Sequence, residues 1–272
     1  TRLGLCAMGA HDQPNTGGWL GVESRYLTLN GGTDIDYKAP FEEALRISIT
    51  HLGKTNDIGV FMRTPGNDLN LVRGLLYNEG IISELNSIHN LTVEDDIARV
   101  VLAEGSSYNP TEHKRNILVT GSCGLCGRSD LHSHQKVTSE DKFSQKQIHD
   151  FHVIAMKNQE LFKQTGGTHG AAAFDCNGVF IGSEEDVGRH NAMDKLTGYL
   201  LSKSLAPSVC TLSGRVSYEL VQKAIRSGYC ILSAVGSATT MAIHLAREHD
   251  LTLISFAREN RMTVLSSPRR VT

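Results

Sequence analysis

Over the first 115 or so residues, apolar and polar positions alternate in short runs. RYLTLN (25–30), LRISIT (45–50), IGVFMR (58–63), ARVVLA (98–103) and NILVT (116–120) read as strands with turns between them. One segment has a different period. In NDLNLVRGLLYNEG (67–80), Leu69, Val72, Leu75 and Leu76 form one apolar helical face, Asn67 or Asp68 can cap its start, and Gly80 stops it. From about residue 146 strands alternate with helices. A helix over 146–164 carries Ile148, Phe151, Ile154, Ala155, Leu161 and Phe162 on one side and runs into Gly166 and Gly167. Strands AAAFD (171–175) and VFIGS (179–183) follow, then a helix from about Asn191 and strand SVCTLS (208–213). A helix over 216–226, strand YCILSA (229–234), a helix over 238–248 and strand LTLISFA (251–257) complete the series. This order predicts an α/β layered unit after a β-rich one.

Between the halves lies a polar, glycine-studded stretch from Gly121 to about Gln145. The predicted organisation is an N-terminal α+β domain over 1–120, a mobile linker over 121–145 and a C-terminal α/β domain over 146–272. A chain of 272 residues, 40% hydrophobic and 21% charged, has enough material for two packed cores. Its formal charge of -2 leaves no basic field for nucleic acid or an anionic membrane, so an anionic ligand must be held locally. No apolar run approaches the ~18 residues of a membrane helix. The start, TRLGLCAMGAHDQ, lacks the apolar centre of a signal peptide. A cytoplasmic protein is expected.

Six cysteines are too few for a disulfide scaffold. Cys6, Cys176, Cys210 and Cys230 stand alone, and Cys210 and Cys230, inside strand-like runs, are expected to be buried thiols. Cys123 and Cys126, in GSCGLCGRSD (121–130), form the single close pair. The pair has three readings: half of a zinc site completed by His132 and His134, a dithiol redox couple, or a sulfur carrier. A carrier needs a reachable thiolate that holds sulfur as Cys–S–SH and a neighbouring thiol that can attack the inner sulfur and release sulfide. Glycines at 121, 124 and 127 give such a loop reach, and Arg128 or the two histidines would favour the thiolate.

Three strand-to-helix junctions, SEEDVGRHN (183–191), LSGRVS (212–217) and AVGSATT (234–240), share glycine with Ser, Thr or Asn. Each is a good helix cap, and each also offers unpaired backbone N–H groups to phosphate. With Arg189, Arg215, Arg258 and Arg261 nearby in sequence, the set points to a ligand bearing phosphates, held without a P-loop or Rossmann fingerprint. His169, between a glycine pair and a strand, and His190, after Gly188 and Arg189, are further candidates beside it.

Six blocks in one order resemble the formate dehydrogenase accessory (FdhD/NarQ) family: MRTPGNDLNLVRGLLYNEGII (62–82), SCGLCG (122–127), TGGTHGAAAFD (165–175), EDVGRHNAMDKLTGYL (185–200), SGRVSYELVQKA (213–224) and LTLISFAREN (251–260). The resemblance implies a small N-terminal α+β domain and a three-layer C-terminal domain like that of cytidine deaminases, as a homodimer. It implies a sulfurtransferase that takes sulfur from a cysteine desulfurase and passes it to the molybdenum cofactor, in its bis(molybdopterin guanine dinucleotide) form, before insertion into formate dehydrogenase. Cys123 matches the persulfide cysteine and Cys126 its partner. The stretch Phe256, Ala257, Arg258, Glu259, Asn260 and Arg261 matches the cofactor-binding segment. To these the junctions add His169, Arg189, His190, Ser213, Gly214 and Arg215 as cofactor contacts; no catalytic metal is expected. Where the family tends to have Ser-Ala-Pro-Thr, this chain has GSATT (236–240) and loses a proline that would fix φ. A cofactor-binding chaperone whose cysteines only clip zinc is the alternative. A zinc deaminase is disfavoured, because THGA has no glutamate two residues after His169 and EDVGRHN stands where a second cysteine pair would be needed.

Overall fold

The computed structural model describes residues 18–28, 31–110, 136–258 and 261–272. The first elements are an antiparallel ribbon, β1 (Trp19–Thr28) and β2 (Gly31–Pro40), with Trp19 opposite Pro40. Four further strands form a mixed sheet: β3 (Glu43–His51), β4 (Lys54–Arg63), β5 (Ile88–Glu94) and β6 (Ile97–Leu102), in the order β4-β3-β6-β5. Alternate residues Leu45, Ile47 and Ile49 of β3 point to one face, where helix α1 (Asp68–Asn78) covers them with Leu71, Val72, Leu75 and Leu76. The expected apolar stripe is thus rotated slightly. Leu69 is 41% exposed, and Leu71 takes the inward position. Asn67 does not cap α1 with its side chain; it lies at φ 56°, a conformation asparagine tolerates, and donates Nδ2 to Glu184 Oε2 at 2.7 Å. Gly80 ends the turn at φ 75° as expected.

The second sheet has the order β12-β11-β10-β9-β7-β8. Its strands are β7 (His169–Phe174), β8 (Phe180–Asp186), β9 (Val209–Leu212), β10 (Ile231–Ala234), β11 (Thr252–Arg258) and β12 (Arg261–Ser266). β9, β10 and β11 are parallel, while β7 runs against β9 and β12 against β11. A sheet covered on both faces needs apolar residues at successive positions. Ala171, Ala173, Cys210, Leu212, Leu232 and Leu253 face α4 (Arg189–Ser202), α5 (Tyr218–Arg226) and α6 (Thr240–Glu248). Ala172, Phe174, Val209, Ile231 and Ile254 face α2 (Gln145–Lys157). The result is the expected mixed α/β architecture with helices on both sides of a sheet, and Cys210 and Cys230 are fully buried in it.

The single helix expected over 146–164 is two, α2 and the short α3 (Glu160–Thr165). The break at Asn158 turns the Gln159 side chain inward against Gly170, where a Cβ would lie 2.5 Å from it. Residues 136–144, placed in the linker by composition, are pinned to the body. Val137 N–H donates to His249 O at 2.9 Å, Phe143 N–H to Arg270 O at 3.0 Å, and Phe143 is 2% exposed. The expected strand at 116–120 lies outside the described residues. Among the described residues no helix is long and apolar enough to cross a membrane.

The two sheets are joined by α1 crossing α4 at a pair of glycines. A Cβ on Gly74 would fall 1.8 Å from the Asp194 carbonyl oxygen, and one on Gly198 would fall 1.9 Å from that of Asn70. Polar wiring flanks this crossing. Buried Asp186 pairs with Lys195 Nζ at 2.8 Å and accepts the N–H groups of Thr64 at 3.1 Å and Gly188 at 2.9 Å. Lys195 also donates to Thr64 O at 2.8 Å. At the other end of α1, Asn78 donates to Asp194, which Lys223 holds at 2.7 Å.

Candidate functional site

A cavity of about 680 Å³ opens where the parallel strands β9, β10 and β11 end, the edge at which layered α/β sheets bind ligands. His169 enters it from the start of β7, Thr211, Leu212 and Ser213 from the end of β9, Val235 from beyond β10, and Arg258 from the end of β11. The opposite wall is His152, Val153 and Met156 of α2 with Phe162 of α3. Its walls are largely apolar, with Arg258 among the lining residues.

His169, which lines the cavity, has Arg189 and Arg215 as charged neighbours. Burial, and then the charges of Arg189 and Arg215, push the His169 pKa down. Burial and Arg215 likewise lower that of Arg189, whose Nε is buried without a hydrogen-bond partner among the described residues. Two neighbouring arginines, one with an unpartnered donor, suit an anion. Gly214 makes the crowding feasible, since a Cβ there would lie 3.1 Å from His169 Nδ1. His190 turns away toward α5, its Nε2 lying 3.0 Å from Ser217 Oγ and 3.0 Å from Glu219 Oε2. Ser213 is locked to β7: its Oγ accepts the Gly170 N–H at 2.9 Å.

The backbone amides at the three junctions are more occupied than the sequence implied. Val216 N–H donates to Ser237 O at 2.9 Å, Gly236 N–H to Gly214 O at 3.1 Å and Thr239 N–H to Val216 O at 3.0 Å. The loops after β9 and β10 thus zip together. Thr239 Oγ1 caps α6 by accepting the Ala242 N–H at 3.3 Å, and Gly188 N–H is held by Asp186. Side-chain cations, rather than three sets of free amides, carry the case for phosphate.

The cavity's lining arginine comes from the β11–β12 corner. Phe256 sits at φ 54°, 39% exposed, and its N–H donates to Gly236 O at 3.2 Å. A left-handed phenylalanine costs on the order of 1–3 kcal/mol. This kink, with the register shift between Ser255 and Arg258, buries Ala257 and turns Arg258 to the cavity. Arg258 and Ala257 also line an adjoining hollow of about 220 Å³ with Lys146, His149 and Arg261. Glu259 and Asn260 lie outside the described residues, as do Cys123, Cys126, His132 and His134. Among the described residues, no three His, Cys, Asp or Glu side chains are grouped to hold a metal ion.

Sequence reasoning missed His149, His152 and Thr211. His152 Nε2 meets Ser233 Oγ at 2.7 Å, and burial, reinforced by His149, brings its pKa down to about 4. The available signal was the histidine pair three apart in QIHDFHVIAM, on a helix side that is otherwise apolar.

Known proteins align with nearly the whole chain. The sulfur carrier protein FdhD of Picrophilus torridus is 40% identical over 261 residues, covering 93% of this chain and 95% of the relative. That of Sulfolobus acidocaldarius is 36% identical over 233 residues, covering 85% and 89%. The crystal structure of a protein from Desulfotalea psychrophila, described as a formate dehydrogenase accessory protein, superposes with a TM-score of 0.76 at 22% identity, over 93% of this chain and 99% of the other; that likeness speaks for the fold. The profile of the FdhD/NarQ family matches residues 41–272, and with relatives this similar over most of its length, the chain belongs to that family.

Proposed function

We propose that this protein is a cytoplasmic sulfurtransferase that accepts sulfur from a cysteine desulfurase on Cys123 and delivers it to the bis(molybdopterin guanine dinucleotide) molybdenum cofactor, its substrate, for formate dehydrogenase. The observation that carries the reading is the cavity lined by Arg258 and by His169, which has Arg189 and Arg215 as charged neighbours, in a chain whose relatives are named sulfur carriers. At about 680 Å³ it falls in the range of roughly 300–1,000 Å³ that accommodates a drug-sized ligand. It fits one nucleotide end of the cofactor, with apolar walls for a base and Arg189, Arg215 and Arg258 for the pyrophosphate. The protein acts as a homodimer in this reading.

The chemistry is thiol exchange. The Cys123 thiolate attacks the outer sulfur of the donor's persulfide, forming Cys123–S–SH and releasing the donor thiolate. The Cys126 thiolate then attacks the inner sulfur, a Cys123–Cys126 disulfide forms, and the outer sulfur leaves as hydrosulfide with the bonding electron pair. A cellular dithiol must reduce the disulfide before the next cycle. To test this, the protein is incubated with a cysteine desulfurase and cysteine and its intact mass measured. A gain of one sulfur atom is expected in the wild type and none in Cys123→Ala, which also fails to support formate dehydrogenase maturation. A wild-type chain that takes up no sulfur sinks the proposal.

A further inference from the structure

A second recess, of about 460 Å³, lies where α5 ends and β10 begins. Tyr77 of α1, Lys136, Val137 and Thr138, and Ile225 and Arg226 of α5 line it. Two of the lining residues are cations, and among the described residues none is a carboxylate. Arg226 is held in place: its Nη2 donates to Ile82 O at 3.1 Å, its Nε donates to Tyr77 O, and its guanidinium lies 5.1 Å from the centre of the Tyr77 ring. Lys136 extends from a backbone that is also pinned. Val137 N–H donates to His249 O at 2.9 Å, and the carbonyls of Val137 and Ser139 accept from Arg270 at 3.4 and 2.8 Å. The Lys136 side chain itself is exposed and makes no ion pair among the described residues.

Two cations with no carboxylate between them suit an anionic group. The recess is larger than a small free anion needs, and Tyr77, Val137 and Ile225 give it apolar wall, so a carboxylate carried on a peptide fills it better. Its place in the chain says whose peptide. Lys136 follows Cys126 by ten residues, a length that spans at most about 36 Å, so a protein seated on the recess is within one loop's reach of both thiols. We infer that this recess docks the sulfur donor: an acidic segment of the cysteine desulfurase binds beside Lys136 and Arg226 and brings the donor persulfide to Cys123. The inference rests on the sulfur-carrier reading above and adds the surface on which the donor is recognised. Complementary charge at such a surface sets encounter and register, not the exchange of sulfur itself.

The test follows sulfur uptake by intact mass from two donors: a cysteine desulfurase supplied with cysteine, and cysteine persulfide, which is too small to need a docking surface. With the desulfurase, Lys136→Glu is expected to raise the half-saturating concentration of this protein about tenfold at low salt and to leave the maximal rate unchanged. Most of that effect should vanish near 1 M salt, where charges more than about 3 Å apart are screened. From cysteine persulfide the variant should take sulfur at the wild-type rate, and its melting temperature should not move, Lys136 being exposed. Lys157→Glu makes the same change of net charge at the end of α2, which covers the other face of the sheet, and should behave as wild type. If Lys136→Glu saturates the desulfurase as the wild type does, or loses uptake from both donors alike, the recess does not dock the donor, while the sulfur-carrier reading stands. If the wild type takes sulfur from neither donor, both fall.

Discussion

Replacing Gly198 by alanine tests the helix crossing with an unusual sign. In an exposed helix interior, glycine to alanine stabilises by about 1 kcal/mol, because alanine loses less backbone entropy on folding. At position 198 the new Cβ would lie 1.9 Å from the Asn70 carbonyl oxygen and 2.7 Å from its carbon, whereas ordinary contact begins at about 3.4 Å. Both atoms it meets are backbone, so no rotamer change relieves the clash. The helices must part by about 1.5 Å, opening the apolar contact beneath α1. Overpacking of this kind costs about 1–3 kcal/mol, and a shift of two buried helices belongs at or beyond the top of that range. A net loss of about 2 kcal/mol is expected, a fall in melting temperature of roughly 4–8 °C for a chain of this size. The assay is thermal unfolding of Gly198→Ala beside Gly105→Ala, whose Cβ would meet nothing within 4 Å. A Gly198→Ala protein that melts at or above the wild type refutes the close crossing.

Two further outcomes follow from buried charge. Lys195→Met leaves Asp186 buried without its cation and should cost about 3–5 kcal/mol by urea unfolding, with Asp186→Asn in the same chain recovering part of the loss. His152, neutral in the fold with a pKa of about 4 against an ordinary 6.5, takes up protons more readily when unfolded. Its contribution to stability is therefore whole above about pH 6.5 and is lost as pH falls toward 4, about 2 kcal/mol of it by pH 5. Urea midpoints at pH 7.5 and 5 should fall less steeply for His152→Gln than for wild type, and equal slopes would show the imidazole to be solvated.

The elements that could be read from sequence are those whose burial is complete on both sides. Ala171–Phe174, Val209–Leu212 and Ile231–Ala234 are apolar at nearly every position because helices cover both faces. The strands that escaped are β2, rich in Gly and Asp, and β5 and β12, edge strands of mixed polarity. Asn67 looked like a cap because its partner, Glu184, is 117 residues away. The break before α3 likewise depends on Gly170, in a neighbouring strand, making room for Gln159. At the site, His169 and Ser213 were found because they open or follow strands in glycine-rich junctions, and Arg258 through the segment 256–261 that resembles the family's. Thr211 escaped because a threonine inside a strand is ordinary, and its missing hydrogen bond exists only in three dimensions.

The block EDVGRHN was read as a phosphate cradle, but half of it serves another end. Asp186 is the point at which the segment after β4, the start of α4 and α4 itself are tied together: its carboxylate accepts the amides of Thr64 and Gly188 and pairs with Lys195. Asn191 completes the tie by donating to Met62 O at 2.8 Å and to Asp186 Oδ1 at 2.9 Å. Arg189 lies between these anchored residues, so it is held beside His169 from a backbone fixed on both sides. A cation that must meet a pyrophosphate gains affinity from such preorganisation, because little ordering entropy remains to be lost on binding. The small N-terminal sheet therefore contributes to the site without touching it, through one buried carboxylate and the helix that crosses α4 at Gly74 and Gly198.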